Sequence, residues 1–400
     1  MPSVAVLALS LLAGIAETGA VSGGKPAATG NLPPPVSVVS LGAARGARRA
    51  DLGAYGGPGS AVLAVTFTQD ALMHIPLMAP PVAAALALLS PPGVPVAPPT
   101  IVEYVIPRPG NFPHDPAVAR DGSVWYTDQR NSYIGRLDPE TGKIVDYPTP
   151  TPGSGPHGLI VGPDGSVWYT GQGAGVIGRL DPRNGHITEF ALPGNARNPH
   201  TPIYHDDRVW FTDANNNTYG SLDPKTGKVT VYTAPTPNSV PYGIVPAGDG
   251  SIWIAMLGTN KLGRVDPANG SMREFVLPAA EARPRRLQVG GDGTVWYTDY
   301  GRGYLGALDP ATGKVREWRS PSPDAGPYGI AIGTDGRIWY CESRSGQMVA
   351  FDPKTEKMTV VPIPTAGAIV RHMETDSTRG RVWLALSGTG RLGKIELGGR

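Results

Sequence analysis

Seven tryptophans recur at a nearly constant spacing in the last three quarters of the chain. Successive members are separated by 43, 42, 43, 43, 43 and 44 residues, and they are Trp125, Trp168, Trp210, Trp253, Trp296, Trp339 and Trp383. A chain that repeats itself at a period of about 40–45 residues is typical of a β-propeller, in which each repeat forms one blade. This spacing restricts the possible folds more than any other feature of the sequence.

Each repeat contains the turn motifs expected between four short strands. An Asp-Gly pair precedes most of the tryptophans, as in Asp164-Gly165, and a Gly-x-Leu-Asp-Pro motif follows, as at residues 178–182. A run with alternating side chains then ends the repeat, as at residues 186–190. Short alternating runs joined by tight turns predict antiparallel strands. The sequence therefore predicts an all-β fold, a seven-bladed β-propeller with four-stranded blades, over residues 101–397.

The two ends of the repeat region predict how the ring of blades closes. An outer-strand motif occurs at residues 101–107, before the first complete repeat. The last repeat stops one strand short, after residues 392–395. We therefore expect the N-terminal strand 101–107 to join the last blade. Closure of this kind leaves no open sheet edge in the ring.

Residues 1–100 differ from the repeats in composition. They contain seven charged and two aromatic side chains, which is too few to build a packed core. An apolar run at residues 4–16 has the length of a signal peptide and is too short to span a membrane. We expect a signal peptide over residues 1–20 and an unstructured low-complexity linker over residues 21–100. The expected location is secreted or periplasmic, or cytoplasmic if the apolar run is not a signal.

The composition argues against several classes of protein. The chain has 54 Gly and 43 Pro among 400 residues, 17% charged residues and a net charge of +2. These values argue against a helical bundle, and they provide no basic surface for nucleic acid. Cys341 is the single cysteine, which excludes a disulfide within the chain and a thiolate metal cluster. We expect a monomer with no nucleic-acid partner and no membrane span.

A second repeated motif marks the start of the innermost strand of each blade. Innermost strands line the channel of a propeller, so side chains at their start converge on one mouth, where ligands bind. The motif is Pro-(His/Tyr)-Gly-like, and around the ring it gives His114, His157, His200, Tyr242, Arg285, Tyr328 and His372. The chain has only seven histidines, so four at one position indicate a site for a small molecule or a cyclic peptide. A solvated channel lining without chemistry is the alternative.

A third set of side chains follows each tryptophan by three residues. It consists of Asp128, Gly171, Asp213, Met256, Asp299, Glu342 and Leu386. Acidic side chains supply oxygen ligands for Mg²⁺ or another divalent cation, and Asp213 and Asp128 are the candidates for such a site. Acids after a strand also bond nearby backbone amides and stabilise turns. Both interpretations are open from the sequence.

The repeats resemble those of the streptogramin B lyase (virginiamycin B lyase) family. One repeat reads Gly155-Pro156-His157-Gly158, then Asp-Gly-Ser-Val-Trp-Tyr-Thr at 164–170, Ile-Gly-Arg-Leu at 177–180 and Ile-Thr-Glu-Phe at 187–190. The likeness covers residues 101–397. It implies an enzyme that opens a cyclic depsipeptide antibiotic by magnesium-assisted elimination at its ester bond, and hence a role in antibiotic resistance.

The resemblance also implies roles for the channel residues. Consecutive blades of the family present His, then Glu-Pro-His, then Tyr, and the matching run here is His157, then 198–200, then Tyr242. On this basis His200 is the catalytic base and His157 its partner. Tyr242 then contacts the substrate, and the remaining members of the ring are expected to do the same. The family has glutamates where this chain has Asn198 and Ala214.

Two further functions remain open at the level of the sequence. One is a non-enzymatic propeller that binds a ligand or a partner in the channel. The other is a metal-dependent, lactonase-like hydrolase. An enzyme of either kind needs at least two carboxylates or imidazoles within coordination distance of one point, so the positions of the acids discriminate between these functions.

Overall fold

The computed structural model describes residues 52–55, 62–65 and 99–397. In the first part, β1 (Leu52–Tyr55) pairs antiparallel with β2 (Val62–Val65). This hairpin lies within the expected linker. The expected signal peptide and the remainder of the linker up to residue 98 lie outside the described residues. No helix in the described parts of the chain is long and apolar enough to cross a membrane.

The second part contains seven antiparallel sheets of four strands, which confirms the predicted propeller. Within each blade the strands follow one another from the channel outward. Blade 1 is β4 (Pro113–Val118), β5 (Val124–Asp128), β6 (Tyr133–Leu137) and β7 (Ile144–Pro148); blade 2 is β8 (Pro156–Val161), β9 (Val167–Gly171), β10 (Val176–Leu180) and β11 (Ile187–Ala191); blade 3 is β12 (Pro199–His205), β13 (Arg208–Asp213), β14 (Thr218–Leu222) and β15 (Val229–Thr233). Blade 4 is β16 (Pro241–Pro246), β17 (Ile252–Met256), β18 (Lys261–Asp266) and β19 (Ser271–Val276); blade 5 is β20 (Pro284–Val289), β21 (Val295–Asp299), β22 (Tyr304–Leu308) and β23 (Val315–Arg319). Blade 6 is β24 (Pro327–Ile332), β25 (Ile338–Glu342), β26 (Gln347–Asp352) and β27 (Lys357–Pro362); blade 7 is β28 (Val370–Asp376), β29 (Arg381–Leu386), β30 (Arg391–Glu396) and β3 (Ile101–Val105).

The ring closes through β3, which forms the outer strand of blade 7 and pairs antiparallel with β30. The ring of Tyr104 on β3 packs against Trp383 with a centroid distance of 5.5 Å. The carboxylate of Glu103 accepts a hydrogen bond from the backbone of Thr365 at 3.0 Å. The predicted closure by the N-terminal strand is therefore confirmed, and its pairing ends at Val105.

The repeated tryptophans lie on the second strand of each blade and join neighbouring blades. Trp168 of blade 2 is buried with Val209 and Phe211 of blade 3 in one hydrophobic cluster. It also packs against Phe190 on the outer strand of its own blade, with centroids 6.0 Å apart. Burial of large aromatic surfaces between sheets explains why a tryptophan is needed once in every repeat.

The glycine of the Gly-x-Leu-Asp-Pro motif makes room for a tyrosine. Gly178 on β10 pairs with Tyr169 on β9, and a Cβ atom at Gly178 would lie 2.0 Å from Cζ of that ring. The Tyr169 hydroxyl passes over the glycine and donates a hydrogen bond to Glu189 on β11 at 2.7 Å. The same arrangement occurs at Gly135 with Tyr126 and at Gly306 with Tyr297. The glycine of the motif therefore lets a tyrosine of the second strand reach across the third strand and bond to the fourth.

Candidate active site in the central channel

Each inner strand has two successive unpaired residues at the channel because its pairing register shifts by one residue. In blade 3, Pro199 pairs with Asp213, and the next pair is Pro202 with Phe211, which leaves His200 and Thr201 unpaired. The same shift occurs in the other six blades. An extra residue in one strand of a pair re-aims the side chains around it. Two rings of residues result.

We call these two sets the mouth ring and the second ring. The mouth ring is formed by the residue after the first residue of each inner strand, and it contains His114, His157, His200, Tyr242, Arg285, Tyr328 and Arg371. The second ring follows directly, with Asp115, Gly158, Thr201, Gly243, Arg286, Gly329 and His372. Six of the seven predicted channel residues therefore meet in the mouth ring.

The predicted position of His372 is wrong by one residue. Val370 pairs with Leu386, three residues after Trp383, so Val370 occupies the place that proline has in the other blades. Arg371 is then the member of the mouth ring, and His372 lies in the second ring. A shift of one residue along a strand moves a side chain to a different environment. The mouth ring thus has three imidazoles rather than four.

In blades 1, 2, 3 and 5 the threonine of the Trp-x-Thr sequence bonds the inner strand to the next blade. In blade 3, the hydroxyl of Thr212 accepts a hydrogen bond from the backbone N–H of Thr201 at 3.2 Å. It donates one to the carbonyl of Tyr242 in blade 4 at 2.6 Å. This threonine fixes the unpaired residues of one inner strand to the next blade, so the ring side chains are held by the backbone.

Four aromatic side chains of consecutive blades form a continuous stack in the mouth ring. The ring centroids are 3.7 Å apart for His114 and His157, 3.9 Å for His157 and His200, and 3.7 Å for His200 and Tyr242. The planes are tilted by 41–46°. All four side chains are buried. The structure therefore brings the predicted base, its partner and the predicted substrate-binding tyrosine into direct contact.

The histidines of the stack are neutral. Burial lowers the pKa of His157 well below its usual value, and the neighbouring His114 acts in the same direction. Burial likewise lowers the pKa of His200, together with His157 and Arg286. A positive charge near a buried imidazole disfavours its protonation, so these rings keep a free lone pair at physiological pH.

Hydrogen bonds constrain which ring nitrogen carries the proton. Nδ1 of His157 lies 3.1 Å from the carbonyl oxygen of His200. A carbonyl only accepts, so Nδ1 is the protonated nitrogen and Nε2 presents the lone pair. Nδ1 of His200 lies 2.8 Å from the hydroxyl of Thr201. That oxygen also accepts from Arg286 at 3.0 Å, and because a hydroxyl can accept or donate, this contact is compatible with either tautomer of His200.

Arg286 of the second ring connects three blades across the channel. It extends from blade 5 and is 2% exposed. Its guanidinium donates to Thr201 of blade 3 at 3.0 Å and to Asp115 of blade 1 at 3.4 Å. Asp115 also accepts a hydrogen bond from Nδ1 of His114 at 2.7 Å. The repeat motif singled out Arg285 alone, and Arg286, Asp115 and Arg371 were missed because the motif defines one channel position per blade.

Tyrosines and an arginine occupy the opposite side of the mouth ring. The hydroxyls of Tyr242 and Tyr328 lie 2.6 Å apart, and Arg285 donates to the Tyr242 hydroxyl at 2.9 Å. The Arg285 guanidinium also lies 3.7 Å from the ring centre of Tyr328. Burial raises the pKa of Tyr242. For Tyr328 burial acts in the same sense, but Arg285 and Arg286 outweigh it and hold the pKa below its usual value.

The two predicted metal ligands stabilise turns. The carboxylate of Asp213 accepts hydrogen bonds from the backbone of Asn198 at 3.0 Å and of Asn216 at 3.1 Å. The carboxylate of Asp128 accepts one from the backbone of Phe112 at 3.0 Å and pairs with Arg108 at 2.8 Å. Both carboxylates are fully buried among these protein donors.

A divalent cation therefore does not fit the predicted residues. Within residues 99–397, the group of three ligand atoms that lie within 4.8 Å of one another belongs to His114, Asp115 and His157. Asp115 already receives hydrogen bonds from His114 and Arg286, and the fixed charge of Arg286 opposes a second cation there. Asn198 and Ala214, at the positions where the resemblance implies acids, provide no carboxylate.

Known proteins share this architecture. The profile of the virginiamycin B lyase family matches residues 96–255 and 203–400. Among solved structures, a streptogramin B lyase is 28% identical, with a TM-score of 0.70, over 75% of this chain and 98% of the other. Virginiamycin B lyase from Staphylococcus aureus is 26% identical, with a TM-score of 0.70, over 75% of this chain and 100% of the other.

A third similar structure contains a ligand. It is a catalytically inactive histidine-to-alanine variant of the S. aureus virginiamycin B lyase with quinupristin, 25% identical, with a TM-score of 0.70, over 75% of this chain and 100% of the other. Comparison with curated protein sequences gives no significant match. The profile match extends over the whole propeller, and the chain belongs to the virginiamycin B lyase family.

Proposed function

We propose that this protein is a lyase that opens a cyclic depsipeptide, or a related ester-bearing ligand, by elimination in the central channel. The observation that carries the proposal is the buried stack of neutral imidazoles in the mouth ring, next to a tyrosine. Membership of the family supports it, as does the loss of activity that accompanies a histidine replacement in the S. aureus enzyme.

The chemistry needs a base in its neutral form. The base removes a proton from the carbon next to a carbonyl, the electron pair forms a carbon–carbon double bond, and the adjacent C–O bond breaks. The ester leaves as a carboxylate and no water is consumed. We assign the proton acceptor to Nε2 of His200, with Nδ1 bonded to Thr201. His157 donates to the His200 carbonyl, and its ring packs against the ring of the base.

The proposed elimination uses no metal ion, because the carboxylates of Asp213 and Asp128 are bonded to backbone amides. The resemblance implies a cation that polarises the carbonyl oxygen. Here Arg285, Arg286 and Arg371 supply positive charge in the channel. We expect turnover to be unchanged after treatment with EDTA, and a dependence on added Mg²⁺ would show that a site forms with substrate bound.

Mass spectrometry of quinupristin incubated with the protein tests the proposed reaction. Elimination gives a linear product of the same mass, whereas hydrolysis adds one water. We expect His200→Gln and His157→Gln each to lower turnover by at least about 100-fold, the usual loss when a general base is removed. His186→Gln, at an exposed position before β11, is the matched control and should leave turnover unchanged.

The same experiment separates the other functions. Product heavier by one water would identify a hydrolase. Quinupristin that stays intact with the wild-type protein contradicts lyase activity on this substrate, and binding without turnover would indicate a non-enzymatic binding propeller. Turnover that survives both histidine replacements would contradict the assignment of the base.

A further inference from the structure

Two arginines of the mouth ring have no acidic partner within residues 99–397. Arg285 donates to the Tyr242 hydroxyl and stacks on Tyr328. Arg371 lies over the ring of Phe112, 5.1 Å from its centre. Within residues 99–397 neither guanidinium forms an ion pair, and Nε of each is buried without a hydrogen-bond partner. A partly buried cation without a counter-charge is costly, so a ligand that provides the negative charge is favoured at this point.

Both side chains line one cavity at the mouth of the channel. The cavity has a volume of about 720 Å³, and its walls include Arg285, Arg371, Tyr300 and Tyr328. A third arginine in its wall, Arg344, is exposed and pairs with Asp324 at 2.6 Å. The two inner arginines are therefore the ones that remain available to a ligand, in a space large enough for an organic molecule.

The surrounding groups show that this side of the channel carries a positive potential. Arg285, Arg286 and Arg371 face it, and Asp115 is paired with Arg286 behind the mouth ring. Burial lowers the pKa of His114, and these three arginines lower it further. An imidazole of the stack thus experiences the charge of guanidinium groups on other blades, and the same positive charge would stabilise a bound anion.

We propose that Arg285 and Arg371 form a carboxylate-binding subsite at the mouth of the channel. The planar forks of two guanidinium groups match the two oxygens of a carboxylate. Tyr300 and Tyr328 line the same cavity and contribute aromatic surface beside the arginines. This inference extends the proposed function, because elimination at an ester releases a carboxylate, and the subsite would hold that end of the product.

Calorimetric titration of the full chain with benzoate and benzamide tests the subsite. The two compounds have the same shape and differ in charge. We expect benzoate to bind about tenfold more tightly, because its hydrogen bonds to arginine are charge-assisted. Arg371→Gln and Arg285→Gln should each lower the affinity for benzoate about tenfold and leave that for benzamide unchanged.

Two further variants serve as controls for misfolding and for nonspecific charge effects. Arg371→Lys keeps the charge but loses the fork, and we expect an intermediate affinity for benzoate. Arg179→Gln removes an arginine that pairs with Asp164 at the surface of blade 2. It should leave the affinities for benzoate and benzamide unchanged. Equal affinities for benzoate and benzamide, or unchanged benzoate affinity in Arg371→Gln, would overturn the subsite. A preference for inorganic phosphate over benzoate would overturn the carboxylate assignment. These measurements need no turnover, so the subsite and the lyase activity are tested separately.

Discussion

The guanidinium of Arg286 contacts two other blades inside the channel, and removing it leaves a buried acid behind. In Arg286→Met, Asp115 keeps only its bond to His114. A buried ion pair that loses one partner costs about 3–5 kcal/mol, since the remaining charge is uncompensated. We expect a loss of this size in the free energy of unfolding, measured by urea denaturation. The double variant with Asp115→Asn should recover part of it.

A surface ion pair provides the control for this measurement. Arg179 and Asp164 are 2.8 Å apart, and their side chains are 37% and 55% exposed. Water and salt screen such a pair, so Arg179→Met should cost less than about 1 kcal/mol. If Arg286→Met costs no more than this control, Arg286 does not hold the blades together across the channel.

Within a blade, a tyrosine ring that packs over a glycine connects three neighbouring strands. A methyl group at Gly178 would overlap the ring of Tyr169 and displace its hydroxyl from Glu189. Overpacking of this kind costs about 1–3 kcal/mol, and we expect Gly178→Ala to lower the free energy of unfolding by that amount. In a Tyr169→Leu background the same substitution should cost less, because the overlap is gone.

Gly248 offers a matched control, since a Cβ atom there would meet nothing within 4 Å. We expect Gly248→Ala to change the free energy of unfolding by less than about 0.5 kcal/mol. Equal effects of the two alanine substitutions would show that the tyrosine ring accommodates a methyl group at position 178.

The blades could be predicted from the sequence because their turns and tryptophans recur at a fixed spacing. The alignment of blade 7 failed for a local reason. Six inner strands begin with a proline, namely Pro113, Pro156, Pro199, Pro241, Pro284 and Pro327, whereas blade 7 has Val370. Without that proline the histidine of blade 7 was aligned with the others, one residue out of register. The second ring could not be predicted, because spacing does not show that the extra residue of a shifted strand turns Arg286 inward beside Arg285.

The propeller as a whole has an unusual dependence on pH, because three buried histidines and the partly buried His372 of the channel are held in neutral form. Burial lowers the pKa of His114, His157 and His200 well below the usual value, and that of His372 to about 3. Below pH 6.5 the unfolded chain binds protons that the folded protein does not, so stability falls as the pH falls. Each such histidine contributes about 1.4 kcal/mol per pH unit.

Glu374 on β28 acts in the opposite sense. Burial raises its pKa to about 7, with Asp115 and Asp376 adding to the effect. The folded protein binds its proton as the pH falls through 7, before the unfolded chain does, so this group adds stability down to its ordinary pKa near 4.5. Glu374 therefore cancels the contribution of about one histidine. Between pH 6 and 5 we expect the free energy of unfolding to change with pH at the rate that about three histidines would give.

Urea denaturation between pH 8 and 5 measures this slope. His372→Gln is the most selective variant, because Nδ1 of His372 has no hydrogen-bond partner within residues 99–397. We expect it to reduce the slope below pH 6.5 by about 1.4 kcal/mol per pH unit, and Glu374→Gln to steepen it by a similar amount. His186→Gln, at an exposed site, should leave the slope unchanged. A wild-type stability that stays flat from pH 7 to 5 would mean that the channel histidines accept protons in the folded protein, and the neutral base that elimination requires would then be lost over the same pH range.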